Sequence, residues 1–149
     1  MSFYYSEYRK RIQKLVNQLP DRLIIHYMDS SGEERAEREE KFVERLIAHR
    51  KRGETGIIKK INPLDLEALT ARVPFVHILL MKDGYHPAYG VVTRDPETGA
   101  LRRLTPEEEE REEKLLEGMS TAEREQYWRE REKIFFERFR IDRKEETHT

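Results

Sequence analysis

The chain has no cysteine, which excludes disulfides, thiolate metal sites and a cysteine nucleophile. Long apolar runs are missing too. The longest, Val76–Met81, is interrupted by His77 and falls far short of the ~20 residues of a membrane span. The opening residues, MSFYYSEYRKRIQ, lack the apolar stretch of a secretory leader and include Glu7, so a soluble, cytoplasmic protein is expected. There are only seven glycines, and none falls in a Gly-x-Gly-x-x-Gly, Walker-type or Gly-x-Ser-x-Gly pattern. The residues therefore imply no cofactor and no nucleophile, and an enzyme is the less expected class. Asn and Gln are scarce (Asn17, Asn62, Gln13, Gln18, Gln126) while Glu and Arg abound, a pattern shared by thermophile proteins and by helix-rich mesophilic ones.

Charge is what the chain has in surplus. Asp, Glu, Lys and Arg make up 40% of 149 residues, against roughly 25% in an average soluble domain, so much of the chain must be solvated surface. The net charge of -1 conceals a gradient. Residues 1–104 hold 19 basic against 15 acidic side chains, and residues 105–149 hold 10 against 15. A mildly basic body is thus followed by an acidic arm.

Apolar residues at spacings of three and four (Tyr4, Tyr8, Ile12, Leu15, Leu19) predict a first helix from Ser2 that ends at Pro20. Arg22–Met28 reads as a strand leading into the turn Asp29–Gly32, and Glu33–Arg52 as one long, charged helix closed by Gly53. Gly56–Ile61 has strand length, and its lysine pair suits a sheet edge. Asn62-Pro63 is an N-cap with proline at the first helical position, opening a short helix to Arg72. Pro74–Lys82, Ala88–Arg94 and Ala100–Leu104 follow as a predicted three-stranded meander, whose second connection, DPETG, is a hairpin signal. Thr105–Glu108 and Ser120–Glu123 are capping boxes, and they define two C-terminal helices expected to pair as a hairpin over 105–144, with 145–149 as a frayed tail. The expected fold class is α+β: one antiparallel or mixed sheet of four or five strands, covered by helices, with a C-terminal helical hairpin.

Three functional readings arise. Most favoured is a non-catalytic protein-interaction module, an accessory subunit, adaptor or inhibitor of a larger complex. Its candidate partner-binding residues are Tyr127, Trp128, Arg129, Phe135, Phe136 and Phe139, an aromatic–Arg face of residue types enriched at binding hot spots. The second is a nucleic-acid-associated protein. Four basic clusters (Arg9, Lys10, Arg11; Arg50, Lys51, Arg52; Lys59, Lys60; Arg102, Arg103) would track phosphates if one face gathered them. The weakest is a metal-dependent hydrolase at His77, Asp83 and His86, a two-histidine, one-carboxylate set. The carboxylate runs Glu33–Glu40 and Glu107–Glu110 read as solvated helix faces rather than acid–base pairs.

Overall fold

A computed structural model describes residues 3–19, 23–86 and 91–139. The chain is α+β and divides into two compact units. Asp21–Tyr89 form one, while Met1–Pro20 and Gly90–Thr149 together form the other.

In the Asp21–Tyr89 unit the turn after β1 (Ile24–Asp29) decides the topology. The Asp29 carboxylate accepts hydrogen bonds from the Ser31 and Glu33 N–H groups, at 2.9 and 3.1 Å, and from the Ser31 hydroxyl. Gly32 supplies the positive φ of 86°. The chain is thereby returned antiparallel onto β1 as β2 (Glu34–Arg38), and only then does α2 (Glu39–Lys51) begin. The predicted single helix Glu33–Arg52 is thus corrected to a strand followed by a helix. The helix propensity of EERAER is worth only tenths of a kcal/mol per residue, and the turn and sheet pairing override it.

β3 (Ile58–Ile61) adds antiparallel on the other side of β1, giving the order β2-β1-β3 with the lysine pair on an edge strand, as expected. Asn62 then caps α3 (Pro63–Arg72), its side-chain oxygen accepting from the Leu64 and Asp65 N–H groups. Pro74–Lys82 is not the predicted strand. α4 spans Val76–Asp83, with Val76, Leu80 and Asp83 buried at helical spacing and Gly84 closing it at φ 95°. A short apolar run fits a buried strand or a buried helix segment equally well by periodicity alone, and the glycine terminator decides for the helix.

On the inner face of this sheet lie Ile25 and Tyr27 of β1; Phe42 and Leu46 of α2 and Leu64, Leu66 and Leu69 of α3 are likewise buried. The Tyr27 and Phe42 rings meet edge to face at 5.0 Å. Asp83 is also buried, because its carboxyl accepts from the Ile57 and Ile58 N–H groups at 3.1 and 3.0 Å and so seals the start of β3.

The other unit joins α1 (Phe3–Val16) to a hairpin of β4 (Val92–Arg94) and β5 (Leu101–Arg103), then α5 (Pro106–Glu117) and α6 (Thr121–Phe139). The DPETG turn forms as read: Asp95 accepts from the Glu97 and Thr98 N–H groups, and Gly99 sits at φ 73°. The expected sheet of four or five strands is instead a three-stranded sheet and this separate two-stranded hairpin. The meander loses its first strand to α4. Residues 88–90 of the predicted second strand lie outside the described residues, as do Pro20 and 140–149.

Both capping boxes are present. Thr105 and Glu108 cap each other's backbone, and so do Ser120 and Glu123. The two helices they open do not make a clear helical hairpin; α6 runs against α1 and β4. Its contacts with α5 include Glu112, which receives hydrogen bonds from Tyr127 and Arg131.

Glu108 also fixes an acid sensitivity. Hydrogen bonds from Arg102 and then from the Thr105 N–H hold its carboxyl down at about 2. A carboxyl depressed by folding stabilises the fold above its unfolded value of ~4.3, and the stabilisation is lost as pH falls from there through the folded value. Acid titration followed by circular dichroism should therefore show Glu108→Gln losing less stability than the parent between about pH 4 and pH 2. Parallel curves would reject the assignment.

Candidate functional site

The aromatic face of α6 points inward. Trp128 is 3% and Phe135 1% exposed. The Trp128 indole N–H donates to Glu7 at 3.0 Å, and its ring lies 6.4 Å from Tyr8 and 5.3 Å from Tyr127. Phe135 packs on Phe139 at 5.6 Å, and Phe136 and Phe139 are half-buried. Tyr127, also half-buried, is held by Glu112 and Arg131. Arg129 is exposed beside Glu125. A charged seam reinforces the α1–α6 packing: Arg11 binds Glu125 and Glu132, and Arg124 lies 3.9 Å from Glu7. Trp128 and Phe135 are therefore unavailable to a partner unless this unit opens.

The basic clusters are divided between the units and partly neutralised. Arg11 has its two carboxylates, Arg52 binds Glu54, and Arg102 binds Glu108. Arg50, Lys51, Lys59 and Lys60, all in the Asp21–Tyr89 unit, have no carboxylate partner among the described residues, and all four are exposed, on α2's end and β3. Tyr8, the aromatic next to the Arg9–Arg11 cluster, is buried with its hydroxyl accepting from the Val92 N–H, so its ring cannot stack on a base.

The histidine set does not converge. His77 lies on a helix rather than a strand, the Asp83 carboxyl is occupied by two backbone N–H groups, and His86 is exposed beyond α4. Among the described residues no three His, Asp or Glu side chains are placed to hold a metal.

Two hollows flank the three-stranded sheet. A cavity of about 180 Å³ is lined by Tyr27, Asp29, Arg35, Arg45 and His49. Its charges are satisfied internally: Arg35 binds Asp29, Arg45 grips Glu37 through two nitrogens, and the Tyr27 hydroxyl also reaches Glu37. Burial, reinforced by the Glu37 carboxylate, pushes the Tyr27 hydroxyl well above the ordinary tyrosine range. Burial opposes ionisation of Glu37 itself, but hydrogen bonds from Arg45 and Tyr27 prevail and hold it low. Such a closed network orders the sheet against α2. The second hollow, about 340 Å³, brings His26 and Met28 beside Glu34, Lys60 and Pro63, the first residue of α3.

The largest departure from ordinary surface is on α4. Phe75 just ahead of it is 50% exposed, Ile78 55% and Met81 45%, three residues apart along one stripe opposite the buried Val76, Leu80 and Asp83. Spacings of three put them on one helix face over ~9 Å. The pattern is visible in the sequence, but reading the segment as a strand divides these residues between two faces. No helix among the described residues is long and apolar enough to cross a membrane. No family model, no curated protein and no solved structure matches the chain.

Proposed function

We propose that the protein is a non-catalytic protein-interaction module, an accessory subunit, adaptor or inhibitor of a larger assembly, and that it docks its partner on the α4 stripe of Phe75, Ile78 and Met81. The observation that carries this reading is that stripe: three large apolar side chains, each about half exposed, aligned on one short helix. Scattered exposed hydrophobics are ordinary, but contiguous ones mark contact surfaces. A helix face is convex, so it cannot enclose a small molecule, and phosphates find nothing to bind on apolar carbon. An apolar helix face on another protein fits it, ridges against grooves.

Affinity purification from the native host, with Phe75→Glu/Ile78→Glu beside the parent and Leu115→Glu as a control, tests the reading. Leu115 is 56% exposed on α5. The double variant should lose a protein that both parent and control retain, while its thermal unfolding stays within about 0.5 kcal/mol, as for other surface changes. Retention of the same proteins by all three chains would sink it.

A second reading, nucleic-acid association, is favoured by the exposed Arg50, Lys51, Lys59 and Lys60, which have no carboxylate partner among the described residues. Titration with DNA or RNA oligonucleotides at two salt concentrations decides it, because phosphate contacts require steep loss of affinity with salt.

A further inference from the structure

β2 is an edge strand, and its sequence, Glu34-Arg35-Ala36-Glu37-Arg38, is charge-complementary to its own reversal. Laid antiparallel on a copy about a twofold axis through Ala36, Glu34 faces Arg38, Arg35 faces Glu37 and Ala36 faces Ala36.

The backbone is in register for this. The Asp29 N–H donates to the Glu33 carbonyl and the Glu39 N–H to the Leu23 carbonyl, both at 2.9 Å, at either end of a ladder that sets Ile24 opposite Arg38 and Met28 opposite Glu34. Bonded and non-bonded pairs alternate along an antiparallel ladder. Glu33, Arg35, Glu37 and Glu39 therefore bond to β1, and the backbone groups of Glu34, Ala36 and Arg38 point out of the sheet. Those same residues become the bonded pairs when the twofold axis passes through Ala36.

The side chains agree. Glu34 and Arg38, on the sheet face opposite Ile25 and Tyr27, are exposed and have no ion-pair partner among the described residues. Arg35 and Glu37, on the other face, are tied to Asp29 and Arg45. Ala36 is exposed and small, so it does not obstruct approach at the axis. We propose that β2 pairs antiparallel with β2 of a second copy, joining two three-stranded sheets into one continuous sheet of order β3-β1-β2-β2-β1-β3. Charges on an edge ordinarily repel other strands. Here the order of signs admits a copy in one register: sliding by two residues sets Arg35 on Arg35 or Glu37 on Glu37, and like charges directly opposite are destabilising. The contact is an isologous one and small, which places it among weak, micromolar associations.

Sedimentation equilibrium on the full chain, with concentration raised to about 100 μM, tests this. The parent should move from 18.0 kDa towards twice that mass. Glu34→Arg and Arg38→Glu should each weaken the dimer at least about tenfold, by setting like charges opposite one another. The double reversal E34R/R38E should restore it, and the two single variants mixed should form a heterodimer. Ala36→Pro should abolish pairing with little change in thermal unfolding, because the Ala36 N–H is not used by β1. A parent chain that stays monomeric throughout, a dimer indifferent to R38E and A36P, or a double reversal that fails to restore pairing would each overturn the proposal.

Discussion

Replacing Trp128 with alanine is expected to destabilise the α1–β4–β5–α5–α6 unit by about 3–5 kcal/mol, the range for removing a large aromatic from a core. Trp128 is 3% exposed, and it joins α6 to α1 through its ring contact with Tyr8 and its hydrogen bond to Glu7. The loss has two parts. The ring neighbours Tyr8 and Tyr127 are each held by hydrogen bonds of their own, which limits their collapse into the void left by the indole. The Glu7 carboxylate loses a donor, although Arg124 remains near it. Chemical denaturation followed by tryptophan-independent circular dichroism measures the effect. A change under about 1 kcal/mol would mean that the indole is not core. Phe136→Ala, at a half-buried position, should cost distinctly less.

Asp83→Ala is the second large effect, expected at about 2–5 kcal/mol in the Asp21–Tyr89 unit. Two backbone donors, the part-buried Ile57 and the buried Ile58, would be left without an acceptor, at roughly 1–3 kcal/mol each. Water relieves part of that cost only where it can enter, and Ile58 is 6% exposed. Amide hydrogen exchange gives the specific signature: the Ile57 and Ile58 amides should exchange faster in the variant, by more than amides in β1 and β2 do. Uniform acceleration across the unit would show a general loss of stability instead of a lost cap.

These two residues also show what the sequence displayed and what it hid. Asn62-Pro63, the two capping boxes and the DPETG turn were all legible, because each is a local device whose partners lie within a few residues. The α1 stripe was legible for the same reason. The role of Asp83 was not: a carboxyl at the end of an apolar run is as easily a turn residue as a cap for a strand 25 residues earlier. β2 was hidden because EERAEREE has the composition of a helix, and only the Asp29-centred turn makes it a strand. α4 is ambiguous for the converse reason, with β-branched and apolar residues in a segment that Gly84 closes as a helix. The aromatic character of α6 was plain, but whether it faced inward depended on Tyr8 and Glu7, more than 100 residues away in the chain. The stripe of Phe75, Ile78 and Met81 went unseen with the helix that creates it. The candidate surface thus depended on secondary structure set by long-range contacts, and propensity is a weak guide there.

The hydrogen bond between Glu7 and Trp128 spans 121 residues, because the unit they belong to is assembled from segments on either side of Asp21–Tyr89. Its consequence is one of timing. During synthesis the Asp21–Tyr89 unit is complete before α5 and α6 exist, and its helices and antiparallel strands are joined by short connections that close quickly. The apolar face of α1, made before that unit, must wait for α6 before Tyr8 meets Trp128. Refolding of the intact chain should accordingly proceed in two phases, the slow one reported by Trp128, which probes only the late-closing unit.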